Sequence, residues 1–403
     1  MTQPRLVLVT RRFWPLVGGA ERQMASLAVQ LKRLGCEVTI LTAHWEPRWP
    51  SEISHHGVRV VRLPHPTLRG WGTIRYMLAV GRWLRSHRDE FDLVYVSTLR
   101  HDAYAALAVR DLDMPVPVIL RAEGVGSTGD CQWQEEASFG SRIARRCRGA
   151  DSIVVSTASV EAELLAAGFT RLVRIEGGVS LPATPCTEEQ RTAARKDLGR
   201  ANPELIVAHN APLAVAIGRL DEGKGLDTLI DAWPLVLRQQ PRARLWLVGE
   251  GPWRPRLATR IEQLRLRRRI MLAGTFDDVE QFLRAADLFV LPASREGTSL
   301  ALLEAMAAGL PIVATDLPGN REVLGGEGPS SQTDLAPPLV TPGKPETLAE
   351  AILRVFDQPA EAQLWGAAGR ERVGEAFSIV KMAERHLELF EQLISARRSI
   401  DSP

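Results

Sequence analysis

The sequence predicts an α/β protein built from two consecutive doubly wound parallel sheets. Three observations lead there. Short β-rich runs alternate with longer stretches of helical periodicity along most of the 403 residues. The alternation lapses once, between about residues 181 and 210, where Pro182, Pro185 and Pro203 mark a connection with one short helix, and then restarts. The length suits two or three domains, each large enough for its own core.

In the first half a strand at 6–9 is followed by a helix at 20–34, strands at 37–41 and 58–63, and a helix at 72–88. Further strands at 93–96, 116–120 and 153–155 are separated by helical segments. Each strand is an apolar run too short for a helix, and each helix carries apolar residues at three- and four-residue spacing. The second half repeats the unit: strands at 213–217, 244–248, 270–272, 288–291 and 312–314 alternate with helices at 226–239, 252–266, 277–285 and 300–308. A last amphipathic helix is expected over 378–397, where Met382, Leu387, Leu389, Phe390 and Leu393 recur among charges.

Composition is that of an ordinary globular protein, with 45% hydrophobic and 24% charged residues, which excludes a disordered chain. Cys36, Cys131, Cys147 and Cys186 show no CxxC spacing, so a disulfide scaffold or structural zinc site is not expected and free thiols in a reducing cytosol are. No signal peptide is read at the start, and no stretch of about 18 apolar residues is long enough to span a membrane. A cytoplasmic location is therefore expected. The net charge of +2 conceals an asymmetry: residues 1–150 carry 21 basic and 14 acidic side chains, and residues 151–403 carry 29 and 34.

Four short segments carry chemistry. Gly18-Gly19 lies between the first strand and first helix, where glycines let a ligand approach the backbone and a helix start favours an anion. A tight turn would use the same pair, and the GxGxxG of dinucleotide enzymes is missing. Gly218-Arg219 ends a strand and Lys224-Gly225 opens the next helix, so two cations stand where open α/β sheets bind ligands. They suit a diphosphate, although solvated surface charges would look alike. Gly249 and Gly251, in Gly249-Glu250-Gly251-Pro252, suit close approach to a nucleotide or a plain strand-to-helix turn. In Glu296-Gly297-Thr298-Ser299-Leu300, a helix start near Thr298 offers backbone N–H groups, with Glu304 about two turns in. The two carboxylates suit sugar and ribose hydroxyls or, more plainly, a cap and a helix face.

In this order and at these separations, the segments resemble glycosyltransferase family 4, retaining enzymes of the GT-B fold. Gly309-Leu310-Pro311-Ile312-Val313-Ala314-Thr315 and the closing helix fit as well, so the resemblance covers nearly the whole chain. It implies two Rossmann-like domains facing across a cleft, at 1–190 and 191–377, with a helix at about 378–399 that packs back on the first. It implies a nucleotide diphosphate-sugar donor and a saccharide or lipid-linked acceptor, with no cofactor and no metal. By this analogy Arg219 and Lys224 neutralise the diphosphate, Glu304 takes the ribose hydroxyls, Glu296 contacts the hexose, and Gly18 and Gly19 approach the diphosphate. Gly297, Thr298, Ser299 and Leu300 supply the helix start. Two positions depart from the pattern. Glu123 stands where the family often has a His, and Gly177-Gly178-Val179-Ser180 replaces an Asn-Gly-Val-Asp. His101 is read as a surface or acceptor-side residue.

Other readings share the scaffold: a nucleotide-sugar epimerase, a phosphorylase with a pyridoxal-phosphate lysine, or a donor-binding homologue without turnover. Only five lysines are present, which speaks against the phosphorylase. In the basic half, Arg75, Arg82, Arg85 and Arg88 accompany Trp71, Tyr76, Met77, Leu78 and Trp83, and Arg142, Arg145, Arg146 and Arg148 form a second cluster. Either a solvated helix face or contact with an anionic membrane surface accounts for them. No nucleic-acid recognition fold is apparent.

Overall fold

The computed structural model describes residues 3–16, 18–65, 71–114, 116–122, 124–126, 129–276, 278–295, 297, 299–325 and 339–401. It divides into two compact units, Met1–Gly178 with Ile379–Pro403, and Val179–Ser378.

The first unit runs β1 (Arg5–Val9), α1 (Gly19–Arg33), β2 (Glu37–His44), β3 (Glu52–His55), β4 (Val58–Pro64), α2 (Trp71–Ser86), β5 (Leu93–Val96) and α3 (His101–Asp113). It continues through β6 (Val118–Arg121), α4 (Asp130–Glu136), α5 (Gly140–Cys147), β7 (Ser152–Val155), α6 (Ala158–Ala166) and β8 (Leu172–Arg174). The strands form one sheet in the order β3-β4-β2-β1-β5-β6-β7-β8, parallel except for β3. Val7 stands in register with Thr39 on one side and Val94 on the other. Alternation along β1 sends Val7 and Val9 into one core with α2, α3 and α5, and Leu6 and Leu8 into another with α1. Burial on both faces explains why the central strands read as unbroken apolar runs. The edge strand β3 has no such run. A two-residue turn at His56 and Gly57, with φ of 49° and 81°, folds it back on β4.

The second unit begins with α7 (Glu188–Ala201) and then runs β9 (Leu213–Ile217), α8 (Leu226–Gln239), β10 (Arg244–Val248), α9 (Arg254–Gln263), β11 (Ile270–Gly274), α10 (Glu280–Ala285) and β12 (Leu288–Leu291). It ends with α11 (Leu300–Ala307), β13 (Ile312–Thr315), α12 (Pro318–Leu324), β14 (Leu339–Val340), α13 (Pro345–Asp357) and α14 (Pro359–Ala376). Its sheet is wholly parallel, ordered β11-β10-β9-β12-β13-β14. The segment marked as a connection in the sequence is largely integral to this unit. Thr187 and Gln190 form a reciprocal capping box on α7, and Ala194 and Leu198 enter the core. Arg195 ties α7 to the end of α10 and the entry to β12, donating to Ala285 O at 2.8 Å and to Asp287 Oδ2 at 2.7 Å. Asp287 in turn accepts from Leu213 N at 2.8 Å, which pins the start of β9.

The chain returns to the first unit in α15 (Ile379–Asp401), where Met382, Ala383, Phe390 and Ile394 pack against Met24, Leu27 and Leu31 of α1. Here Gln23 donates to Gly178 O at 2.9 Å. His386, fully buried, donates from Nδ1 to Met382 O at 2.8 Å, because a carbonyl only accepts. Its Nε2 is then the acceptor for Tyr95 OH at 3.0 Å. Among the described residues no helix is long and apolar enough to cross a membrane.

Burial holds His386 neutral, with its pKa pushed down from the usual 6.5 to about 3. The unfolded chain takes up this proton as pH falls below about 6.5 while the folded one refuses it until about 3, so stability drops as pH falls through that window. His386→Gln removes the titration and keeps an amide in place. Its melting temperature is expected to decline less steeply than wild type between pH 7 and pH 4 (about the span of the shift). Parallel declines in scanning calorimetry would contradict this.

Candidate active site

Each sheet has one place where neighbouring strands send the chain to opposite faces. In the second unit it lies between β9 and β12: α8 follows β9 onto one face and α11 follows β12 onto the other. Crevices at the carboxyl ends of such strand pairs are where open α/β sheets take ligands. The loop after β9 carries Arg219 and Lys224, and the loop after β12 leads to α11.

These two loops are joined. Gly223 O accepts from Ser294 N at 3.0 Å and from Arg295 N at 3.3 Å. Gly225 caps α8 in the left-handed region (φ 60°), and a Cβ there would stand 1.9 Å from Pro292 O. Its freedom is therefore spent on loop contact. Lys224 closes a short 3-10 turn over Glu222–Lys224 and is partly buried. The Arg219 side chain is 63% exposed and reaches Asp221 only at 3.7 Å. An ion pair so long and so wet is worth little, and leaves the guanidinium able to turn toward an incoming anion.

Gly249 and Gly251 also meet protein first. Gly249, at φ 139°, would place a Cβ 1.9 Å from Gly218 O, and a Cβ at Gly251 would lie 2.3 Å from Leu220 O. The backbones themselves run together: Gly218 N donates to Val248 O at 3.0 Å and Leu220 N to Glu250 O at 2.9 Å. Tight stacking of the loops after β9 and β10 accounts for both glycines, whereas the sequence offered donor approach or a simple turn.

The helix start lies slightly later than expected. Ser299, not Thr298, is the N-cap of α11, and its Oγ accepts from Leu302 N at 3.4 Å. Glu304 thus stands little more than one turn in, rather than two. Leu300, Glu304 and Ala308 are the partly exposed positions of this stretch, four apart, while Ala301, Leu302, Leu303, Ala305 and Met306 are buried. That spacing makes Glu304 part of the accessible stripe that begins at the helix start. Gly297, two residues before the N-cap, is partly buried. Below, Thr315 Oγ1 donates to Ala293 O at 2.5 Å and Asn320 Nδ2 to Thr315 O at 2.8 Å, bracing the end of β12. Sequence reading missed this brace, since both side chains look like ordinary turn polars. Glu296, Thr298 and Glu123 lie outside the described residues.

In the first unit the corresponding place is between β1 and β5. Gly18 is the extended N-cap of α1 (φ −159°), and Gly19 is its exposed first residue. The space over Gly18 is taken by the chain's own Glu21 carboxylate, whose Oε2 would sit 2.2 Å from a Cβ there. Beside it is a polar cluster that the sequence did not reveal. Arg11 Nη2 donates to Thr73 Oγ1 at 2.7 Å and to His65 Nε2 at 3.1 Å. Burial pushes the Asp102 carboxyl up to about 6, opposed by Arg11 and Arg100. His101 is partly buried rather than a surface residue, edge-on to Trp133 at 4.9 Å. Burial, then Arg11 and Arg100, bring its pKa down to about 4, so it is neutral at pH 7. Four buried atoms of this cluster, Arg11 Nε, His65 Nδ1, Tyr76 OH and Asp102 Oδ1, have no hydrogen-bond partner among the described residues. No three His, Cys, Asp or Glu side chains among the described residues group as metal ligands.

Paired doubly wound units, each with its crevice at the switch point, are the architecture of GT-B glycosyltransferases. The fold of sucrose-phosphate synthase from Thermosynechococcus elongatus superposes with a TM-score of 0.79 over 98% of this chain and 100% of that one, at 22% identity. Residues 17–181 match the sequence model of Glycosyltransferase Family 4, and residues 211–358 that of Glycosyl transferases group 1. The chain belongs to glycosyltransferase family 4 and is a glycosyltransferase. A GDP-mannose-dependent monoacylated alpha-(1-6)-phosphatidylinositol monomannoside mannosyltransferase of Corynebacterium glutamicum is 32% identical over 50% of this chain and 51% of its own length. Alpha-maltose-1-phosphate synthase of Mycolicibacterium smegmatis is 27% identical over 96% of this chain and 99% of its own.

The stacking of Gly249 on Gly218 O leads to a direct expectation. Gly249→Ala forces the two loops apart and should lower stability by roughly 2–3 kcal/mol in urea unfolding. A loss within error of zero would show that the loops separate freely.

Proposed function

We propose that this glycosyltransferase is a retaining, metal-independent hexosyltransferase, moving a hexosyl unit from a nucleotide diphosphate-sugar to a saccharide or lipid-linked acceptor in cell-surface polysaccharide or glycolipid synthesis. One observation carries the reading: the joined loops after β9 and β12 bring Arg219, Lys224 and the start of α11, with Glu304 on its open stripe, to a single switch point. The C. glutamicum relative is named as GDP-mannose-dependent, which supports a nucleotide-sugar donor.

In this reading Arg219 and Lys224 hold the diphosphate, and the N–H groups at the α11 start take charge that grows on the leaving phosphate. Side-chain cations and helix start thereby do the work a divalent ion would do. Glu304 accepts from the ribose hydroxyls. Glu296 and Glu123 orient the hexose, and Gly18, Gly19, Gly249, Gly251, Gly297, Thr298, Ser299 and Leu300 shape the donor site. The bond from the anomeric carbon to phosphate oxygen breaks, the acceptor hydroxyl oxygen bonds to that carbon on the same face, and its proton passes to the departing phosphate oxygen. The protein contributes orientation and electrostatics rather than a covalent intermediate.

Lys224→Ala and Glu304→Ala should each weaken nucleoside diphosphate binding by roughly tenfold or more in titration calorimetry, with unchanged melting temperature. Wild-type affinity in both would refute the site. A thermal-shift screen of nucleoside diphosphates and their sugars identifies the ligand to use. With the donor found, EDTA should leave turnover unchanged, and NMR of the product should show the donor's anomeric configuration. Loss of activity on chelation, or an inverted product, would overturn the mechanism. Interconversion of donor sugars without an acceptor would mark an epimerase instead.

A further inference from the structure

The helices α2, α3 and α5 form one layer over a face of the first unit's sheet, burying Tyr76, Val80, Leu84, Leu107, Ile143 and Cys147. The opposite side of this layer is unusual. On α2, Trp71, Ile74 and Leu78 are 67%, 50% and 63% exposed, a spacing of three and four that puts all three on one outward stripe. Arg82 continues the stripe and Arg75 borders it, both exposed. α2 thus has two apolar faces, of which the sheet covers one.

Farther along the layer an open hollow of about 490 Å³ is lined by Tyr104, Arg110, Asp111, Arg142, Arg145 and Arg146. Arg146 stacks on Tyr104 at 4.4 Å, and Asp111 pairs with Arg110 at 2.7 Å and with Arg146 at 3.6 Å. Among the described residues neither Arg142 nor Arg145, both exposed, has a carboxylate partner. Phe139, 63% exposed, stands beside Arg142. Asp111 and Asp151 thus serve Arg110 and Arg146, the former at 2.7 and 3.6 Å and the latter holding Arg110 at 2.9 Å, which leaves the charge of Arg142 and Arg145 unmatched by a carboxylate among the described residues.

We propose that this helical layer is a docking surface for an anionic lipid bilayer. Trp71, Ile74 and Leu78 enter the headgroup boundary, and the arginines on either side, with Arg142 and Arg145 over the hollow, bind lipid phosphates. Charge complementarity selects the partner. A nucleic acid gives the apolar stripe nothing to bury in, and a neutral membrane leaves the hollow's positive charge unmatched. Long arginine side chains suit this role, since their stems lie along apolar surface while the heads reach phosphate. Although α2 lends Thr73 and Tyr76 to the cluster around Arg11, the outward residues invoked here, Trp71, Ile74, Leu78, Arg142 and Arg145, are none of those placed at a switch point, so the proposal does not depend on the transfer reaction.

The test is sedimentation of the full chain with vesicles that carry no glycosyl acceptor. With phosphatidylcholine and phosphatidylglycerol in equal parts at low salt, the protein should pellet. With phosphatidylcholine alone it should stay in solution. Arg142→Gln with Arg145→Gln should weaken partitioning roughly 25-fold, at about fivefold per arginine. Ile74→Ser with Leu78→Ser should also weaken it, leaving a remainder that moderate salt abolishes. Both variants should melt like wild type, because the residues changed face away from the core. Pelleting equally with neutral vesicles, no pelleting with anionic ones, or wild-type partitioning in both variants would overturn the proposal. So would a dimer in light scattering that Ile74→Ser with Leu78→Ser converts to monomer while lipid binding is absent.

Discussion

Parallel strands are joined by right-handed crossovers, and that handedness places the functional residues of this protein. Once β9 pairs with both β10 and β12, the chain leaving β9 and the chain leaving β12 must go to opposite faces of the sheet. Their loops diverge and open a crevice between them. Everything around the candidate donor site follows from keeping that crevice in shape: Gly225 against Pro292, Gly249 against Gly218, and the Ser294 and Arg295 N–H groups on Gly223. The first unit obeys the same constraint between β1 and β5, where Arg11, Asp102 and the start of α1 meet.

Local charge matters more here than the charge of a domain. The segment from 151 to 403 is net acidic, yet its switch point has an exposed arginine, a lysine in a tight turn and a helix start. The first unit is net basic, but its cations serve different ends. Arg11 is drawn into a buried cluster with His65 and Thr73, while Arg142 and Arg145 remain on the surface. Burial, the leading cause, keeps His101 neutral and raises the Asp102 carboxyl to about 6, so at pH 7 Asp102 still carries its charge toward Arg11 and Arg100 but loses it on mild acidification.

Much of the fold was legible because buried parallel strands need apolar residues on both faces and helices need them on one. The strands at 213–217, 244–248 and 288–291 coincide with β9, β10 and β12. What eluded the pattern was less apolar or more ambiguous. β3 alternates weakly on an edge, and α7, expected only as a short helix within a connection, hides its two buried apolar residues, Ala194 and Leu198, in a polar segment. Glycines pointed to the right loops but for a different reason, since backbone-to-backbone contact demands the missing side chain as strictly as a phosphate would. On α2 both apolar stripes look alike in sequence, and nothing local says that Tyr76 faces the sheet while Trp71 faces solvent.

By itself the sequence determined the alternation of strands and helices, the two-unit organisation, and the presence of Arg219 and Lys224 between a strand and a helix and of Glu304 within a helix. These are properties of short windows, governed by periodicity and by the chemistry of a few adjacent residues. The tertiary structure alone decided strand order, and with it which loops become neighbours. It also assembled Arg11, His65, Tyr76 and Asp102, which come from loops and helices up to 91 residues apart. Such a cluster leaves no periodic trace, because its members are selected by proximity in a folded sheet and not along the chain.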